Sequence, residues 1–584
     1  MSGRRTYNGR MRFRAGPAAA AIVAMCCSLP PSSQDAAFVD LADRYIEEFL
    51  ERYPEHATAL GDHRYDDRLN DRSAAAVADA VAWNRRCLEA LQGIDPARLS
   101  AANAVDYEIL SNEVRYSVWA AQELREHEWN PMRYGVGDAL YSLLAREFAP
   151  LEQRLAALKR RLESIPAVFA AARANLERPP RIHTETAIRQ NDGAIALVRD
   201  DLEGFLERAP ALRGELAAAR EAAVMALEEH GRWLREDLLP RSDGEFRIGE
   251  ERYRAKLAFT LHSDLSMEEI LTRAQARLAE LQDQLYETAL PLHREFEPGA
   301  SAAAEGDRAA VVRAVLDRLA DSHPTDASIV DDARRALEHV TAFTEGEGLV
   351  TVPDEPLQII VMPEFRRGVS TAYCDSPGPL EEGGETFYAI SPTPERWTSE
   401  RKLSFYREYN DYMLQTLTAH EAIPGHYLQI AHSNRMEAPT KLRSIFYSGT
   451  FVEGWAVYGE QLLAERGYGG GPFRMQQLKM QTRAVINAIL DQKIHAGSMT
   501  EREAMDMMLQ QGYQEDGEAA GKWIRAQLTS AQLSTYFVGV AEHEDLRAAW
   551  EERNGPVEDL RAYHDTVLSF GSPPAKFVRR LMGL

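Results

Sequence analysis

Apolar residues recur at three- and four-residue spacing along most of this chain, a pattern that commits it to packed helices. AFVDLADRYIEEFLERY (37–53) shows the pattern, and LEQRLAALKRRLESIPAVFAAARANL (151–176) carries it over a longer span. Ala, Leu, Glu and Arg, all strong helix formers, dominate these runs. Breaks are expected where Gly, Pro and Asp cluster, at 61–73, 177–185 and 239–249. Near Pro353 the texture changes. LQIIVMPEF (357–365) and TFYAISPT (386–393) are short and rich in β-branched and aromatic residues. They read as two strands of a hairpin with a long connection full of Gly, Pro and acidic residues. Helical texture returns at Ser404 and runs to the C-terminus, with breaks at GYGGGP and NGPVED. The expected fold is mainly α: a large bundle-like domain with a central cleft and a small β element. Residues 35–345 form its helical scaffold and 346–584 the half that carries the chemistry.

The first 34 residues read as a signal peptide. Arg4, Arg5, Arg10, Arg12 and Arg14 precede an apolar stretch from Ala15 to Leu29, and the first acid is Asp35. That stretch is too short for a stable membrane span. Export to the periplasm or cell envelope is therefore expected, with removal of the leader before Ala36. Cys26 and Cys27 at its end leave open a lipid anchor, the one expected membrane attachment, although Met25 is a poor residue to precede a lipidated cysteine. Beyond the leader only Cys87 and Cys374 remain, so neither a disulfide framework nor a thiolate metal cage is available. The formal charge of −23 argues against a nucleic-acid partner, whose phosphates would be repelled.

The chemistry concentrates in LTAHEAIPGHYLQIAHSN (417–434). Two histidines and an adjacent glutamate are the materials of a hydrolytic zinc site, in which two imidazoles face one metal and the glutamate acts as general base on water. His420 and His426 stand six apart, however, which on a straight helix leaves the rings about 120° out of register. Pro424 and Gly425 supply the remedy. Proline lacks an N–H and clashes with the carbonyl four residues back, that of His420, and glycine accepts unusual backbone angles. Together they can loop two residues out and return His426 to the face of His420. His432 is a second candidate partner. A third ligand should come from GTFVEGWAVYGEQLLAE (449–465), where Glu453 sits among Phe451, Val452, Trp455 and Val457. A carboxylate there is costly to bury without a cation or hydrogen-bonded partner. Glu460, on the same face, is the alternative ligand or an acceptor behind one.

HEAIPGH followed by EGWAVYGE resembles the bacterial family with an HEAxPGH signature, filed as domain of unknown function number 885 and grouped with helical HExxH-type zinc peptidases such as angiotensin-converting enzyme and thimet oligopeptidase. ATALGDHRYDDRLNDRS (57–73), NLERPPRIHTETAIRQ (175–190), TRAVINAILDQKIHAGSMTEREA (482–504) and YHDTVLSFGSPP (563–574) look like further markers of it. The resemblance implies His420, His426 and Glu453 as Zn2+ ligands and Glu421 as the base. In the related peptidases a Tyr and a His from the C-terminal part steady the oxyanion. Tyr536 and His564 are the candidates here, against a core tyrosine and a histidine paired with Asp565. Arg525 and His495 are weaker candidates for binding a peptide carboxylate.

The expected function is an exported zinc metallopeptidase acting on peptides. The alternatives are a non-catalytic binding protein with a structural or lost metal, and a hydrolase of non-peptide amides. A fourth protein ligand from His432 or Glu460 would favour a structural metal, whereas three ligands beside an open position would favour catalysis.

Overall fold

A computed structural model of the chain describes residues 33–299, 305–362, 371–381, 383–395 and 397–584. The fold is mainly α with one small sheet. Helix α1 (Ser33–Arg52) buries Phe38, Leu41, Tyr45 and Leu50 along one side, as its periodicity requires. Helices α2 (Leu151–Asn175) and α3 (Arg213–Trp233) pack together, Leu155, Leu158 and Leu162 sharing a core with Ala223 and Leu227. Pro166 is accommodated inside α2 without ending it. Helix α4 (Met267–Phe296) opens with a capping box between Ser266 and Glu269. Helix α5 (Ile329–Gly346) precedes the sheet.

The sheet comprises β1 (Leu357–Val361), β2 (Ala372–Asp375) and β3 (Thr386–Ile390) in the order β1-β3-β2. β1 and β3 are parallel, pairing Leu357 with Thr386 and Val361 with Ile390, so they do not form the expected hairpin. The chain reverses through β2, which lies antiparallel to β3 with Ala372 opposite Ile390. Two strands running the same way need such a crossover. Four residues, one buried and three half-buried, inside a Gly- and Pro-rich connection leave too little alternation to reveal β2. Residues 363–365 of the expected first strand lie outside the described residues.

Helices α6 (Asp411–Glu421), α7 (His426–Asn434), α8 (Gly449–Glu465), α9 (Gly470–His495), α10 (Asp516–Leu528), α11 (Thr535–Asn554) and α12 (Leu560–Leu568) follow. Helix α9 is buried almost all round, and its Leu478, Val485 and Ile489 share a core with Leu278, Leu281 and Leu285 of α4. Helix α6 is clamped between α5, α8, α9 and the sheet. Tyr388 of β3 meets the Thr418 hydroxyl at 3.2 Å.

Residues 1–32, which hold nearly all of the expected leader, lie outside the described residues. Helix α1 includes Ser33 and Gln34, the last two residues of the expected leader. Asp35 is buried, and its Oδ1 accepts from the Ser100 N–H at 2.9 Å and the Asn103 amide at 2.7 Å. Gln34 Oε1 accepts from the Asp95 N–H at 3.0 Å. Among the described residues no helix is long and apolar enough to cross a membrane.

Candidate metal centre

The centre is built where α6 stops. Asn410 caps its start, its Oδ1 accepting from the N–H groups of Tyr412 and Met413. The last ordinary helical bond is Ala422 N–H to Thr418 O. The chain then loops out, and Gly425 N–H donates back to Ala419 O at 2.9 Å, across six residues instead of four. A Cβ at Gly425 would lie 1.9 Å from His420 O, so no other residue fits this crossing unchanged. Trp455 Nε1 donates to Pro424 O at 2.8 Å and pins the loop to α8. Helix α7 starts at His426, and the two imidazoles meet edge to face with centroids 4.6 Å apart.

Glu453 enters from α8, which Ser448 caps. Its Oε2 stands 3.6 Å from His420 Nε2 and 3.5 Å from His426 Nε2. One ligand atom from each of His420, His426 and Glu453 lies within 4.8 Å of the others. Bonds of about 2.0–2.1 Å in a tetrahedron separate donor atoms by about 3.4 Å, so the three groups fit a zinc ion with only small side-chain adjustments. Seven residues on, Glu460 is fully buried, and its Oε1 accepts from His420 Nδ1 at 2.7 Å. That bond holds a proton on Nδ1 and turns Nε2 toward Glu453, where a proton or a metal ion can sit between them.

Burial by itself would lower the His420 pKa, but Glu453 and Glu460 raise it well above the ordinary value. Burial would likewise raise the Glu453 carboxyl, whereas His420 and His426 hold it far below the usual carboxylate range. The fully buried Glu460 and the half-buried Glu453 thus draw positive charge to this spot, whether as a proton on the imidazole or as a divalent cation. His426 Nδ1 is buried without a hydrogen-bond partner among the described residues.

Glu421 is buried beside His420, and its charge is felt by Cys374 of β2 and Tyr388 of β3. His420 feels it as well. The Tyr536 ring lies 6.5 Å from that of His420. Two glycines explain this closeness: α8 and α11 cross so tightly that a Cβ on Gly454 would sit 2.3 Å from Gly539 C, one turn beyond Tyr536. The Tyr536 hydroxyl accepts from Arg525 at 3.0 Å and from Gln532 at 3.3 Å. Burial and the nearby Glu453 charge push its pKa up to about 12, so it stays a donor at neutral pH.

Other candidates are placed elsewhere. His564 is fully buried against Trp455 and Tyr458, on the side of α8 away from Glu453 and Glu460. Its Nδ1 donates to Leu349 O at 2.6 Å, and its Nε2 accepts from the Tyr458 hydroxyl at 3.0 Å. With both nitrogens engaged it has none to offer an oxyanion. Asp565 binds Thr351 instead of pairing with it. His432 donates to Thr351 O at 2.7 Å. His495 donates to Ala526 O and Thr529 O, and its ring stacks on that of Tyr253. Neither His432 nor Glu460 supplies a fourth ligand.

Sequence reading missed a buried ionic network next to the centre. Glu408 binds Lys479 at 2.9 Å and Arg483 at 3.4 Å, and Arg483 also binds Glu518. The sequence signal was faint, since Lys479 and Arg483 stand four apart in a helix that carries many other polar residues.

The model of the family described as "Bacterial protein of unknown function (DUF885)" matches residues 54–582. No curated protein matches the chain. A solved structure described as "a putative lipoprotein of unknown function" from Shewanella oneidensis is 30% identical. It aligns over 94% of this chain and 100% of its own, with a TM-score of 0.78. Another, "the putative lipoprotein from Colwellia psychrerythraea", is 19% identical over 94% of this chain and 99% of its own. Its TM-score of 0.76 speaks for the fold alone.

Proposed function

This chain belongs to the bacterial DUF885 family of proteins of unknown function, and from its centre we propose that it is an exported zinc-dependent hydrolase that cleaves peptide bonds. The observation that carries the reading is the convergence of His420, His426 and Glu453, with Glu421 adjacent and no fourth protein ligand among the described residues. Catalytic zinc sites keep a position open in this way, whereas structural ones are closed by four protein ligands. That difference also speaks against the non-catalytic alternative. Export is supported by the basic and apolar leader and by the lipoprotein description of the Shewanella relative.

When bound, zinc would supply a Lewis acid that lowers the pKa of water and polarises the scissile carbonyl. The residues of the chain divide the remaining work. Glu460 fixes the tautomer of His420. Glu421 takes the proton of the attacking water and returns it to the leaving amine. Tyr536, held by Arg525 and Gln532, donates a hydrogen bond to the oxygen on which charge develops. Strand β1, at the edge of the sheet, is placed to add an extended peptide as a further strand.

The test is digestion of a peptide library by zinc-loaded protein, with and without a chelator. Cleavage that depends on zinc and falls about a hundred- to ten-thousand-fold in Glu421→Gln supports the reading. If nothing is cleaved, or Glu421→Gln works at the wild-type rate, the reading is wrong.

A further inference from the structure

Two cations stand on one face of α10, Arg525 beside Tyr536 of the centre and Lys522 one turn behind it, and neither forms a direct ion pair among the described residues, although Glu518 attracts both and Glu453 attracts Arg525. Arg525 donates to the Tyr536 hydroxyl at 3.0 Å and to Gln532 Oε1 at 2.9 Å, both neutral acceptors. Lys522, one turn earlier, is only 7% exposed and has no hydrogen bond or ion pair among the described residues. Glu518, one turn earlier again, is committed to Arg483 and to the Tyr409 hydroxyl. Arg483 and Lys479 are in turn occupied by Glu408. The direct ion pairs of the network are thus taken up by Lys479 and Arg483, and Lys522 and Arg525 are attracted by its carboxylates only at a distance. A buried charge without a partner is costly, and burial holds Lys522 down to about 7. An incoming anion would remove that cost.

Taking the proposed peptidase reading as its premise, we propose that Arg525 and Lys522 bind the C-terminal carboxylate of the substrate, making the protein a carboxypeptidase that releases one or two residues. Arg525 reaches Tyr536, and Tyr536 flanks His420, so Arg525 stands within a short reach of a carbonyl bound at the centre, and a C-terminal carboxylate held there would put the leaving group between them. An extended chain advances about 3.3 Å per residue, so that reach spans one or two residues. The interior of a peptide has no backbone charge to place there, whereas a terminal carboxylate matches the planar guanidinium fork of Arg525. The C–N bond breaks, the hydroxyl of water joins the acyl carbon, and the proton passes through Glu421 to the amine.

The probes are N-acetyl-trialanine and its C-terminal amide, titrated calorimetrically into zinc-loaded Glu421→Gln protein and offered to the wild type for cleavage. A charge-assisted bond predicts roughly ten- to a hundredfold tighter binding of the free acid, and faster wild-type cleavage of it. The preference should fall to within about threefold in Arg525→Gln and Lys522→Met and persist in part in Lys522→Arg. Equal binding of acid and amide overturns the subsite. So does cleavage of an amidated peptide ending in glutamate at the free-acid rate, which would assign the cations to a side chain. If library peptides are cleaved internally without regard to the terminus, the peptidase reading stands and this inference falls. If the acid binds selectively and nothing is cleaved, the subsite stands and the peptidase reading falls.

Discussion

His420 is held between two glutamates seven positions apart on one helix, with Nδ1 at 2.7 Å from Glu460 Oε1 and Nε2 at 3.6 Å from Glu453 Oε2. The buried carboxylate orients the ring for the one that faces it across the centre. Removing such an orienting partner costs about ten- to a hundredfold in metal affinity. Glu460→Gln should therefore bind zinc that much more weakly, as read by competition with a chelating dye. Unchanged affinity would show that the orientation does not depend on Glu460.

Gly425 is the position at which the looped backbone leaves no room. With its Cβ 1.9 Å from His420 O, Gly425→Ala must move the loop that carries both histidines. A stability loss of more than about 2 kcal/mol is expected, together with reduced zinc occupancy. The measurement is thermal unfolding with metal analysis of the folded fraction. An unaltered melting temperature would contradict the backbone described here.

His564 should matter for stability and not for chemistry. His564→Ala leaves the Leu349 carbonyl and the Tyr458 hydroxyl without partners and opens a cavity beside Trp455. A loss of about 2–4 kcal/mol is expected, with turnover per bound zinc within a few-fold of wild type. A thousandfold fall in turnover in a variant that still unfolds cooperatively would return His564 to the reaction.

Acid should destabilise the protein well before its carboxylates titrate in bulk. Burial lowers His183, His543 and His564 to about 4 and His230 to about 3. Their folded pKa values lie below the unfolded value near 6.5, so the stability they carry is complete above pH 6.5. It is lost as pH falls toward 4, because the unfolded chain takes up protons that the native state refuses. The limiting slope is about 1.4 kcal/mol per pH unit for each histidine. Glu542, pushed up to about 7 by burial, works in the opposite sense and offsets about one of them. Urea unfolding should show a lower midpoint at pH 5 than at pH 7, and an equal or higher midpoint would refute this.

The helical class was legible because α1 and α2 repeat their apolar residues over many turns. The meeting of His420 with His426 was legible from Pro424 and Gly425, since only a looped backbone brings residues six apart onto one face. Glu453 stood out because its neighbours are apolar. The role of His564 was not legible: its partners, Leu349 and Tyr458, lie 215 and 106 positions away and are set by tertiary packing. Lys522 and Arg525 look like ordinary helix-surface cations until tertiary packing buries the first and brings the second to Tyr536. The parallel pairing of β1 with β3 depends on the short β2, which carries too few residues to register as a strand.

The central claim is that His420, His426 and Glu453 hold zinc while Glu421 does not. It is tested most directly by zinc stoichiometry after equilibrium dialysis, measured side by side on wild type, Glu421→Gln and Glu453→Gln. The account predicts about one zinc per chain for wild type and for Glu421→Gln. Glu453→Gln should hold markedly less at the same free zinc, because a neutral amide replaces an anionic ligand. A wild type without zinc, or a Glu453→Gln variant that retains it as tightly as wild type, would contradict the account.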